Sequence, residues 1–301
     1  MIPDPDASQC VYTAYGLPII SGLALPELWP GDSRDTPEVQ IRAGEVAPEL
    51  SECSARGALF EVGPSRFLLR LDGIARYLVT GGDQIVIHPA PEADPDSLRL
   101  FLLGPVFGAL LHQRRLLPLH ASAIETPKGV VLFAGHSGTG KSALAAAFYR
   151  RGYRVVADEV CALDRNFVRA APARLLLWPD ILEELGLWSP TVRKVRPNLE
   201  KYHVPFGGRA LDDSLPVHAI YVLNIANGPD FCISRLGGIE KLEALIQFTF
   251  RRQFLWGMES GTGYMDRATA AARAIPISRL SRSPSRSLRE TADLLEGDFS
   301  S

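Results

Sequence analysis

Between residues 36 and 90, short apolar runs alternate with turn dipeptides. The runs 39–42, 58–62, 66–71, 75–79 and 84–88 are set off by Gly63-Pro64-Ser65, Asp72-Gly73 and Gly81-Gly82-Asp83. Runs of this length between such turns predict strands in a small, mostly antiparallel sheet. Pro89, Pro91 and Pro95 remove backbone donors and predict a linker over 89–95. An apolar stretch then predicts a helix over 97–114, interrupted at Gly104-Pro105. From Leu117 onward the pattern becomes α/β. Strands are expected near 118–123, 129–134, 154–157, 217–223 and 232–236, and helices near 143–148, 238–252, 263–273 and 286–296. The tail 297–301 is expected to fray. The fold class expected is therefore an α/β domain over 95–301 preceded by a smaller, mostly antiparallel β domain over 1–94, a candidate for substrate recognition.

Composition narrows the function classes. Hydrophobic residues make up 46% and charged residues 22% of the 301 positions, enough to fill a core. A formal net charge of −2 gives no reason to expect nucleic acid or an acidic membrane as partner. Cys10, Cys53, Cys161 and Cys232 are scattered with no C-x-x-C spacing, which argues against zinc and against a disulfide framework. Buried thiols in a reducing cytoplasm are the simple expectation. The apolar run 100–111 is too short to span a bilayer, and the first residues lack a basic and then apolar leader. A cytoplasmic protein without membrane contact is expected. The Ser- and Arg-rich stretch 281–287 is expected to be a surface loop, and the basic residues Arg193, Lys194, Arg196 and Lys201 a solvated loop.

The chemistry is announced by Gly135-His136-Ser137-Gly138-Thr139-Gly140-Lys141-Ser142, a complete G-x-x-x-x-G-K-S phosphate loop. It follows the apolar run 130–134 and precedes Ala143 and a helix-forming stretch, which is the context the motif needs. Glycines let backbone N–H groups converge on phosphate oxygens, and the helix N-terminus adds about half a positive charge. Lys141 can reach the β- and γ-phosphates of ATP or GTP, and the Ser142 hydroxyl can ligate Mg²⁺.

Two further segments bear on reaction. Asp158 and Glu159 close the apolar run 154–157, 23 residues after Gly135. At such a strand end one carboxylate can hold Mg²⁺ and another can accept a proton from an attacking hydroxyl; an exposed pair closing an edge strand is the plainer alternative. His120 lies in the run 117–123, fifteen residues before Gly135. Alone, such a histidine is more often a core residue than a catalyst. Arg251, Arg252 and Trp256 fit an amphipathic helical surface.

Taken together, the His120 strand, the loop 135–142 and the segment Arg151-Gly152-Tyr153-Arg154-Val155-Val156-Ala157-Asp158-Glu159 resemble the catalytic domain of the HPr kinase/phosphorylase family over residues 117–164. The resemblance implies that Asp158 is the general base toward a serine hydroxyl and that His120 hydrogen-bonds and tunes it. It further implies that Lys141 and the loop amides, with Gly135, His136, Ser137, Gly138, Thr139, Gly140 and Ala143, cradle the triphosphate, and that Ser142 and Glu159 serve Mg²⁺. Arg209, in His203-Val204-Pro205-Phe206-Gly207-Gly208-Arg209, resembles the arginine that stabilises the transferring phosphoryl group. Ala143 and Tyr153 depart from the glutamate and histidine of the bifunctional enzymes. The chain looks closer to stand-alone HPr-kinase-like proteins that phosphorylate lasso-peptide precursors, with an opening such as Tyr15-Gly16-Leu17-Pro18-Ile19. The activity implied is transfer of a γ-phosphoryl group to a serine of a peptide partner, in a chain that can form a homo-oligomer. A metabolite kinase and a nucleotide-binding regulator without transfer are the competing readings.

Overall fold

A computed structural model describes residues 9–171, 174–205, 214–226, 231–258, 261–283 and 287–300. The N-terminal part is one nine-stranded sheet, formed by β1 (Cys10–Ala14), β2 (Leu17–Ser21), β3 (Trp29–Pro30), β4 (Val39–Ala43), β5 (Ala55–Arg56), β6 (Phe60–Gly63), β7 (Arg66–Leu71), β8 (Ala75–Thr80) and β9 (Gln84–Pro89). Its order is β3-β1-β2-β4-β9-β8-β7-β6-β5, antiparallel except where β4 runs parallel to β2 and to β9. In β8 burial alternates along the strand, with Ala75, Tyr77 and Val79 inward, the period-two pattern that specifies a one-sided sheet. The five strands expected over 39–88 are present. The hairpin β1–β2 and the short β3 and β5 were not read from the sequence.

The linker is shorter than its prolines suggested. Asp94 caps α1 (Pro95–Phe101), accepting from the Ser97 amide at 2.8 Å, and Pro95 takes the first helical position. Proline is favoured there because its missing N–H has no intrahelical partner to lose. The expected interruption at Gly104-Pro105 is a π-helical turn over Leu102–Val106 that leads straight into α2 (Phe107–Gln113). The wider turn accommodates the proline ring, which would otherwise strike the preceding carbonyl. Helices α1 and α2 join the two halves, since a single apolar cluster runs from Leu17, Ile19 and Phe67 through Leu102 and Leu110 to Leu132 and Val156.

The C-terminal part holds β10 (Leu117–Leu119), β11 (Ala121–Thr126), β12 (Gly129–Ala134), α3 (Lys141–Arg150), β13 (Arg154–Ala157), β14 (Cys161–Asp164), β15 (Phe167–Arg169), β16 (Arg174–Leu177), α4 (Pro179–Glu184), β17 (Arg193–Arg196), β18 (Leu199–Pro205), β19 (Ser214–Ile225), β20 (Cys232–Arg235), α5 (Gly238–Gln247), α6 (Gly261–Ala274), β21 (Ile277–Arg282) and α7 (Leu288–Ser300). The main sheet runs β10-β14-β15-β19-β12-β11-β13, with β21 parallel to β19. β12 and β19 are also parallel, so the carboxyl ends of β12, β19 and β21 share one edge. That is the edge where α/β sheets bind ligands. β16, β18 and β17 form a separate three-stranded sheet.

Several expectations need correction. The basic stretch 193–201 is not a loop but the antiparallel β17–β18 hairpin. The helix expected over 238–252 stops at Gln247, because Thr249 bridges to Leu119 and Arg251 adopts φ 50. The tail is not frayed through Ser300: α7 continues to that residue, and Phe299 is buried against Phe148 and Tyr153. Of the four cysteines only Cys161 is buried. Finally, 281 and 282 end a strand rather than opening a surface loop.

Candidate functional site

The loop 135–140, which carries the phosphate-loop motif, connects β12 to α3 as its sequence required. Gly140 caps α3 at φ 92, a conformation other residues adopt only with strain, and a Cβ there would sit 2.9 Å from the Arg282 guanidinium. Thr139 is tied inward, its hydroxyl donating to the His136 carbonyl at 2.8 Å. Gly135, His136, Ser137, Gly138, Gly140, Lys141, Ser142 and Ala143 line a cleft of about 840 Å³, together with His120, Asp158 and Glu159. Of the loop residues in the motif, Thr139 alone is absent from that lining. It shapes the loop from behind.

Lys141 is 6% exposed and its ammonium donates to the carbonyls of Gly135 and His136, each at 2.9 Å. Burial pushes its pKa down to about 8, against the opposing pull of Asp158. His136 packs edge-on against Phe248, and its Nε2 lies 2.9 Å from the Gln247 amide nitrogen.

Asp158 follows β13 immediately and is 6% exposed. Because β11 and β13 pair antiparallel with Ala123 opposite Ala157, the register brings Ser122 beside Asp158. The Ser122 hydroxyl donates to Asp158 Oδ1 at 2.5 Å and the Ser142 hydroxyl to the same oxygen at 2.9 Å. Oδ2 accepts from the Leu176 amide at 3.1 Å. A carboxylate offers about four acceptor positions, so these three bonds leave room for one more donor.

His120 stands in the cleft but does not make the bond to Asp158 that the family resemblance implied. Its backbone N–H donates to the Phe248 carbonyl at 2.8 Å, and its ring packs against Phe250. Burial, reinforced by Lys141, Arg251 and Lys201, pushes its pKa down to about 4, so the ring is neutral at pH 7. Ser122 takes the partner's place. The sequence held a signal for it, since Ser122 is the one hydroxyl in the apolar run 117–124. The Leu176 amide carried none, being backbone.

Glu159 parts company with Asp158. It occupies the centre of a three-residue turn at φ 71, with the Val160 amide donating to the Asp158 carbonyl at 2.9 Å. The turn directs its side chain toward Gly104 and toward the buried Arg174, whose guanidinium lies 3.9 Å away. Glu159 Oε2 is buried without a hydrogen-bond partner. Arg209 lies outside the described residues. Arg251 and Lys201 line the cleft. Arg251 is exposed as expected of a surface residue, but its left-handed backbone lies outside any α-helix.

A hydroxyl and a carboxylate oxygen 2.9 Å apart at the mouth of the loop are hard oxygen donors of the kind Mg²⁺ takes. Among the described residues no cluster of three or more His, Cys, Asp or Glu could hold a metal. No described helix is long and apolar enough to cross a membrane.

No protein-family model matches the chain, and no curated protein does. Among solved structures, the Hpr(Ser) kinase/phosphatase from Coxiella burnetii is similar at 14% identity and a TM-score of 0.29, covering 60% of this chain and 89% of its own.

Proposed function

We propose that this chain is a cytoplasmic, Mg²⁺-dependent kinase that transfers the γ-phosphoryl group of ATP to a serine hydroxyl of a peptide, such as the C-terminal serine of a lasso-peptide precursor. The observation that carries this reading is the carboxylate of Asp158, buried at the mouth of a complete phosphate loop with one acceptor position to spare. A nucleotide sensor needs the loop but has no use for a desolvated proton acceptor beside it.

In this mechanism the loop amides and Lys141 clamp the triphosphate. Ser142 would hold Mg²⁺, while Asp158 keeps its spare acceptor position for the substrate hydroxyl; Glu159, turned toward Arg174, would have to reorient to serve the ion. Bound there, the ion neutralises charge on the β- and γ-oxygens. The acceptor oxygen attacks phosphorus in line, the bond from phosphorus to the β,γ-bridging oxygen breaks, and the hydroxyl proton passes to Asp158. ADP leaves with the bridging electrons. Most of the acceleration comes from alignment and charge stabilisation rather than covalent chemistry. His120, neutral at pH 7 and packed against Phe250, walls the cleft.

The test is incubation with γ-labelled ATP, Mg²⁺ and serine-containing peptides, followed by mass spectrometry. A gain of one phosphate on a peptide serine supports the proposal. Label on a free serine-like metabolite instead would move the acceptor class, and nucleotide binding with no transfer to any acceptor would leave a sensor.

A further inference from the structure

Arg282 is the last residue of β21, a strand whose carboxyl end shares an edge with that of β12 and so with the phosphate loop. Its Nη2 donates to the Thr139 carbonyl at 3.3 Å, a long bond, and the guanidinium lines the same cleft as Lys141 and Ser142. Its Nε is buried with no hydrogen-bond partner. Burial lowers its pKa, and no carboxylate among the described residues offsets that shift. Arg174, also buried, differs in having Glu159 opposite it at 3.9 Å. An unpaired, partly desolvated guanidinium with donors to spare is costly unless an anion completes it. A guanidinium carries five N–H donors in a planar fork that matches phosphate oxygens.

We infer that Arg282 is a nucleotide-binding residue that grips the α- and β-phosphates from the Thr139–Gly140 side of the loop, opposite Asp158. The inference rests on the proposed function as far as nucleotide binding, and no further. A Cβ on Gly140 would lie 2.9 Å from Arg282 Nη2, so the guanidinium abuts the loop backbone at that position. That placement assigns the contact to the phosphates shared by ATP and ADP, so the arginine acts on binding rather than on the transfer step.

The experiment compares wild type with Arg282→Gln and Arg282→Lys for ATP, ADP and inorganic tripolyphosphate, by calorimetry at two salt concentrations. Glutamine keeps an N–H for the Thr139 carbonyl but loses the charge; lysine keeps the charge but loses the fork. Loss of one charge-assisted contact should weaken ATP and ADP alike by about 10- to 100-fold in the glutamine variant and reduce its salt dependence. Lysine should restore part of that loss, since it returns the charge without the fork. Glutamine binding like wild type would reduce Arg282 to a brace for the loop and overturn the inference. A drop in kcat with unchanged affinity would overturn it too. Should the glutamine variant fail to fold, Arg282→Met decides on the same readouts: ATP and ADP weakened alike by about tenfold or more, with a reduced salt dependence, supports the contact, and wild-type affinity rejects it. If wild type itself binds neither ATP nor tripolyphosphate, the nucleotide reading fails first.

Discussion

Ser122 on β11 donates a 2.5 Å hydrogen bond to Oδ1 of Asp158 at the end of β13. The two residues are 36 positions apart and meet only because their strands pair in the observed register. This contact fixes the carboxylate against the phosphate loop, with the Ser142 hydroxyl on the same oxygen. Removing it by Ser122→Ala should lower kcat by about ten- to a hundredfold, the scale of one hydrogen bond to a charged group. His120→Ala should cost less than the serine change. The reverse order in steady-state rates would restore the histidine as the partner of Asp158.

Asp158→Asn and Lys141→Ala should each lower kcat by at least about a hundredfold. The two changes part in binding. Asp158→Asn keeps nucleotide affinity nearly intact, whereas Lys141→Ala also weakens it. Titration with a fluorescent ATP analogue beside turnover separates these effects. Wild-type turnover in the asparagine variant would remove the base assignment.

Lys141 gives a pH signature. Its pKa near 8 means that above that pH the ammonium loses its proton and with it much of its attraction for phosphate. A bound triphosphate favours the charged form, so binding between about pH 8 and 9 should take up a proton. ATP affinity should therefore fall as pH rises through 8. Calorimetry in buffers of different ionisation enthalpy reads the proton directly, and Lys141→Arg should flatten the profile.

His112, His120 and His203 are each held by burial to a pKa of about 4, below the usual 6.5. Between those values the unfolded chain binds more protons than the folded one, so stability rises with pH across the window and is lost as pH falls below 6.5. His112 is the clearest case, its Nε2 meeting the Phe250 carbonyl at 2.8 Å while Nδ1 stays buried without a partner. Urea unfolding from pH 7 to 4 should show falling midpoints. A His112→Gln variant should show a shallower fall.

Phe299 tests the tail. Buried against Phe148 at 5.5 Å between ring centres, it should cost about 3 to 5 kcal/mol on Phe299→Ala. Urea unfolding decides, and an unchanged midpoint would mean the end frays after all.

Local chemistry was legible in the chain where spacing alone enforces geometry. The loop 135–142 between an apolar strand and a helix needs only adjacent residues to form, and the glycines and Lys141 took their places accordingly. Strands over 129–134 and 154–157 were readable for the same reason, as continuous apolar runs between turns. What tertiary structure decided was every relationship across distance in the sequence. The register of β11 on β13 gave Asp158 its serine partner rather than His120. The Asp158–Val160 turn sent Glu159 away toward Arg174. The parallel stacking of β12, β19 and β21 carried Arg282 under a loop some 140 residues earlier. Periodicity records which face of an element is buried, but it holds no term for which neighbour waits there, and hydrogen bonds and charge pairing are properties of that neighbour.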